Sequence, residues 1–116
     1  MHHLIVTACR VQPERMKEFF GHIQQWEHEL EKASHGPEYH SLYVNEADPS
    51  RVLLLTRFES ARHAEEFEAT GLLDGFTDRI LSCSAGEVDQ VAYDLYYAVG
   101  PGGPRVVFGE ESGAMP

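Results

Sequence analysis

Val52-Leu53-Leu54-Leu55-Thr56-Arg57-Phe58 is the stretch whose reading decides the fold. Its length and its aliphatic residues suit a strand, and its near-continuous apolarity implies burial on both faces. Leu53 and Leu55 point to one side and Leu54 and Phe58 to the other, because successive side chains of a strand alternate. Just upstream, Tyr39-His40-Ser41-Leu42-Tyr43-Val44 reads as another strand and Ala47-Asp48-Pro49-Ser50 as a turn, so the two strands form a hairpin.

Working outward, Leu4-Ile5-Val6-Thr7-Ala8-Cys9 is a first strand, followed by Pro13, which suits the first position of a helix because its missing N–H would have no partner there. From Met16 the apolar residues Phe19, Phe20, Ile23, Trp26, Leu30 and Ala33 recur at three-and-four spacing, which predicts a helix from about Pro13 to Ala33. His35-Gly36-Pro37 stops it. Beyond the hairpin, Ser60 is placed to cap a helix carrying Ala64 and Phe67. Gly71 ends that piece, and Leu72, Leu73, Phe76, Ile80 and Leu81 form a further one closed by Gly86. Val91, Tyr93, Leu95, Tyr97 and Val99 then alternate with Ala92, Asp94, Tyr96 and Ala98 as a last strand.

The order βαββαβ is the split βαβ arrangement, an α+β ferredoxin-like domain with a four-stranded antiparallel sheet. Helices on one face leave the other bare, and the economical cover for an apolar second face is a second copy of the chain. The expected domain spans residues 1–100. Residues 101–116 form a tail, in which Pro101-Gly102-Gly103-Pro104 is a hinge and Arg105-Val106-Val107-Phe108 a short apolar arm expected to dock on the partner.

Bulk composition narrows the function. The chain has 116 residues and a formal charge of -10, which suits one domain and repels nucleic acid and anionic membrane surfaces. No apolar run reaches the roughly 20 residues of a membrane span, and Met1-His2-His3 does not open a signal peptide, so the expected location is cytoplasmic. Cys9 and Cys83 lack the spacing of a disulfide framework and read as buried free thiols. Seven histidines raise the question of metal, but His22 and His28 point about 120° apart at roughly 100° per residue. No His-x-x-x-His or Glu-x-x-His pair occurs, so no metal site is expected.

The Pro-initiated helix, the Tyr-bearing strand, the Asp48-Pro49 turn, Arg57-Phe58-Glu59-Ser60 and Ala64-x-x-Phe67 together resemble the antibiotic-biosynthesis monooxygenases over roughly Leu4 to Val99. The resemblance implies a homodimer whose two sheets close into a dimeric α+β barrel, with a pocket between helices and sheet in each copy. It also implies a cofactor-independent monooxygenase acting on a small aromatic or polyketide-like molecule. A non-catalytic small-ligand-binding or stress-related dimer, and an isomerase or cyclase on the same scaffold, are the alternatives. Where the family usually has Trp, this chain has Phe58, which has no N–H to donate. Haem-degrading members carry a histidine after the second helix begins, and no histidine here follows His63, so haem cleavage is not expected.

Within that frame His22, near Trp26 at the margin of the apolar stripe, is the candidate base, or else a half-buried histidine bonded to the backbone. Thr7 and Tyr43 are the candidate polar positioners, with Thr7 otherwise satisfied by a neighbouring strand. Trp26, Phe58 and Phe67 offer faces for a flat substrate or simply form core, and His40 offers an imidazole contact. Asp94 either lies at an edge beside water or pairs with a cation such as Arg57.

Overall fold

The structure, a computed structural model, describes residues 2–96. Strand β1 (His3–Arg10) leads through a 3-10 turn at Pro13–Arg15 into helix α1 (Met16–Lys32). Strands β2 (Tyr39–Val44) and β3 (Arg51–Phe58) follow, then helices α2 (Ala61–Glu68) and α3 (Leu72–Leu81) and strand β4 (Asp89–Asp94). The four strands form one antiparallel sheet in the order β2-β3-β1-β4. This is the ferredoxin-like α+β fold.

Local chemistry explains most boundaries. Pro13 does open the helical region, but as a 3-10 turn, and the α-helix proper starts at Met16 and not at Pro13. It ends where Ala33 turns extended, just before His35-Gly36-Pro37. Ser60 caps α2 by accepting a hydrogen bond from the His63 backbone N–H at 3.1 Å. Gly71 separates α2 from α3 with φ of 81°, a left-handed conformation that a Cβ would strain.

Register fixes what each face of the sheet carries. Thr56 of β3 pairs with His40 on one side and with Ile5 on the other, and Thr7 of β1 lies between Leu54 and Gln90. These residues share the face under the helices. There Ile5, Cys9, Val52, Leu54 and Phe58 meet Phe19, Ile23 and Trp26 of α1, Phe67 of α2, and Leu73, Phe76 and Ile80 of α3. Trp26 is fully buried and stacks on Phe76 with ring centroids 4.5 Å apart and planes 11° apart. Phe20, expected in the buried stripe of α1, is exposed, because one residue further turns it away from Phe19 and the sheet.

Among the described residues no helix lies on the opposite face. Leu53 is 43% exposed and Val91 47%, and Val6 and Leu55 lie between them only partly buried. The division of β3 into Leu53 and Leu55 against Leu54 and Phe58 is as the sequence implies, although among the described residues only the second set is covered. Cys9 and Cys83 are buried free thiols. Among the described residues no helix is long and apolar enough to cross a membrane. Tyr97 and Val99 of the expected last strand, and the expected hinge and arm within 101–116, lie outside the described residues.

Candidate functional site

Two clusters of polar side chains stand out under the helices. The first is built by an edge strand, a central strand and α1. Trp26 donates its indole N–H to His40 Nδ1 at 3.3 Å, and the Thr56 hydroxyl lies 3.2 Å from the same nitrogen. An indole nitrogen only donates, so Nδ1 must present its lone pair and the ring proton of neutral His40 sits on Nε2. That Nε2 is buried and has no hydrogen-bond partner among the described residues. The rings of Trp26 and Phe76 meet the imidazole edge to face, at 6.0 and 6.1 Å between centroids.

Burial away from water disfavours the imidazolium and pushes the His40 pKa down from 6.5 to about 4. At neutral pH His40 is therefore an uncharged ring whose buried Nε2–H has no partner among the described residues. Such a group cannot act as a base through Nδ1, which is occupied, but it can donate to an oxygen on which negative charge develops.

The second place lies one row along the same face. Gln90 of β4 donates to Thr7 Oγ1 at 3.1 Å and lies 3.2 Å from Thr77 Oγ1 of α3, which in turn donates to the Leu73 carbonyl at 2.9 Å. Thr7 is thus a buried threonine satisfied by its neighbouring strand. Its row is next to that of Thr56, so both polar groups share the interior face.

The other sequence candidates separate. Tyr43 is out of phase with His40 on β2, sits on the uncovered face at 58% exposed, and lines a 440 Å³ hollow with Ala8, Leu53 and Asp89. It does not meet His40 or Thr7. Trp26, Phe58 and Phe67 are core residues, with Phe58 and Phe67 rings 5.5 Å apart. His22 is half-buried and turned to a different group: one of its ring nitrogens, the Glu18 carboxylate and Cys83 Sγ lie within 4.8 Å of one another. Asp94 accepts from His3 at 2.8 Å, while Arg57 pairs with Glu38 at 3.2 Å. His63 bonds through Nε2 to the His35 carbonyl at 3.0 Å, a structural tie between α2 and the loop after α1.

Thr56, Gln90, Thr77, Glu18 and Cys83 were not singled out for chemistry by sequence reasoning. Thr56 did carry a signal, as the one polar residue in phase with Leu54 and Phe58 on a strand otherwise buried. The rest depend on contacts between distant segments.

The depressed His40 pKa has a consequence for stability. Between pH 6.5 and about 4 the unfolded chain binds a proton at His40 that the folded chain refuses, so stability is complete above pH 6.5 and falls as pH drops toward 4. Urea unfolding at steps across that window should show the wild type losing stability more steeply than His40→Phe. Parallel curves would contradict a dry, neutral His40.

No protein-family model matches the sequence, and no curated protein matches it by sequence either. Solved structures do match it. SnoaB, a cofactor-independent oxygenase from Streptomyces nogalater, aligns with a TM-score of 0.71 at 11% identity, over 86% of this chain and 98% of its own. A protein from Bordetella bronchiseptica whose name assigns it to the antibiotic biosynthesis monooxygenases aligns at 0.66 and 17% identity, over 81% and 96%. Rv0793 from Mycobacterium tuberculosis aligns at 0.71 and 9%, over 86% and 100%. At these identities the likeness is one of fold, and the chain has the ferredoxin-like α+β fold of structures named as antibiotic biosynthesis monooxygenases.

Proposed function

We propose that this chain is a homodimeric, cofactor-independent monooxygenase of the antibiotic-biosynthesis type that acts on a small aromatic or polyketide-like molecule. The observation that carries the reading is the buried Nε2–H of His40, without a partner among the described residues and set among aromatic rings in a fold shared with a cofactor-independent oxygenase. β2 is an edge strand and His40 is only half-buried, so a flat ligand reaches the buried Nε2 from the sheet edge by displacing the side chains that cover it.

The substrate class is a ketone with an acidic CH₂ next to its conjugated ring system, as in an anthrone. Loss of one proton to water gives an enolate, and the His40 N–H donates to its oxygen, which makes the substrate's CH₂ more acidic. The enolate passes one electron to dioxygen, and the resulting radical and superoxide combine to a C–O bond. Protonation gives a hydroperoxide. Removal of the remaining C–H proton with cleavage of the O–O bond releases water and leaves a carbonyl, so CH₂ and O₂ become C=O and H₂O. Trp26 and Thr56 act as positioning residues by holding the His40 tautomer. Thr7 and Gln90 stand on the adjacent row for contacts to the substrate's other oxygens.

A ligand-binding dimer without turnover is the second reading. It is favoured by the fact that neither group hydrogen-bonded to His40 is a base.

The dimer rests on the uncovered sheet face. Leu53, Val91 and Tyr93, with Val6 and Leu55 among them, form an apolar surface of the kind that marks association. Sedimentation velocity at micromolar concentration should give a dimer for the wild type and a monomer for Leu53→Asp. A wild type that stays monomeric and soluble would contradict this part of the proposal.

For the chemistry, oxygen uptake with an anthrone under air should be measurable and should fall about 10² to 10³-fold in kcat for His40→Phe, the usual cost of losing one oxyanion donor. The variant should stay folded, with a melting temperature lowered by several degrees because the Trp26 indole loses its acceptor. Ligand-induced thermal stabilisation without oxygen uptake would favour the second reading, and equal turnover by both proteins would remove His40 from the mechanism.

A further inference from the structure

Glu18 and His22 are four residues apart on α1, so they share one face of the helix. Cys83 reaches the same place from the far end of the domain, one residue beyond the C-cap of α3. Its fully buried thiol donates to Glu18 Oε2 at 3.3 Å. One donor atom from each of the three residues lies within 4.8 Å of the others. In addition, His22 Nε2 is buried and has no hydrogen-bond partner among the described residues.

A cysteine beside a histidine and a glutamate also suggests a nucleophile. Here the environment opposes that role, since burial first and the Glu18 carboxylate second push the Cys83 thiol away from its thiolate form. A divalent cation reverses the same electrostatics: it takes the thiolate and carboxylate as ligands and balances their two negative charges. Tetrahedral bonds of roughly 2.3 Å to sulfur and 2.0 to 2.2 Å to nitrogen and oxygen place donor atoms about 3.3 to 3.7 Å apart. The present separations need only side-chain adjustment to meet them.

Arg15 completes the surroundings. Its guanidinium holds Glu18 Oε2 at 2.8 Å and also donates to the Ser82 carbonyl, which orients the carboxylate in the way outer-shell partners orient metal ligands.

We propose that Glu18, His22 and Cys83 form a binding site for a zinc-like divalent transition metal ion, with the fourth position left to water or to a ligand. A sulfur, nitrogen and oxygen donor set selects such an ion over magnesium or calcium, which prefer oxygen alone. The site is separate from His40 and does not depend on the proposed oxygenase activity. It also departs from the expectation of no metal, which rested on His-x-x-x-His and Glu-x-x-His spacings and not on Glu18-x-x-x-His22 joined by a distant cysteine.

Cobalt(II) titrated into the reduced full-length chain is the test. One equivalent per chain should produce a sulfur-to-cobalt charge-transfer band with the visible bands of tetrahedral cobalt, and zinc should displace both. Cys83→Ser should abolish the charge-transfer band. His22→Ala should weaken cobalt binding by more than about 100-fold, since losing an outer-shell partner alone costs roughly 10 to 100-fold. A double variant, His2→Ala with His3→Ala, should change neither band. If Cys83→Ser fails to fold, His22→Ala and Glu18→Gln, both at partly exposed helix positions, decide the matter. No charge-transfer band in the wild type, or unchanged binding in His22→Ala, would overturn the site.

Discussion

The hydrogen bond from the Trp26 indole to His40 Nδ1 is the contact on which the candidate site depends. A buried indole N–H left without an acceptor costs about 1 to 3 kcal/mol, so it must find one, and in this interior the acceptor is an imidazole nitrogen. That choice has three effects at once. It ties α1 to the edge strand β2, it seats Trp26 flat against Phe76, and it forces the proton of a neutral His40 onto Nε2. The position of the His40 ring proton thus follows from how the core is packed.

A second constraint is geometric. A sheet has two faces, and the described chain supplies helices for one. On the covered face the strands carry aliphatic residues plus Thr7, Thr56 and His40, polar groups held at defined points by strand register. On the uncovered face the same alternation sets out Leu53, Val91, Tyr43 and Tyr93. A domain of this size gains about 25 cal/mol for each Å² of apolar surface removed from water, so leaving that face wet forgoes a sizeable part of the available stabilisation. The homodimer in the proposed function answers this constraint.

Much of the fold was legible because it is written in local signals. The near-continuous apolar run of β3, the strand and Asp48-Pro49 turn before it, the Ser60 cap, the Gly71 break and the Pro13 start each act within a few residues, and each appears in the structure near its expected place. The split of β3 into two faces was legible for the same reason. The candidate site was less so. Tyr43 and His40 sit three residues apart on one strand and therefore on opposite faces, which period two could have shown had the strand's phase been fixed by Leu42. Trp26 was noticed as aromatic, but its role as a donor depends on a partner fourteen positions away. Gln90 with Thr7, and Cys83 with Glu18, join segments 83 and 65 residues apart, and no pattern within either segment announces the other.

The central claim is that His40 is a neutral ring whose Nδ1 accepts from Trp26 and whose Nε2–H is offered to a ligand. Long-range ¹H–¹⁵N correlation spectra of the folded protein at neutral pH test it directly, because the two ring nitrogens of His40 report their protonation separately. The account predicts a protonated Nε2, an unprotonated Nδ1, and a change at Nε2 when an aromatic ketone is added. A proton on Nδ1, or on both nitrogens, would contradict it.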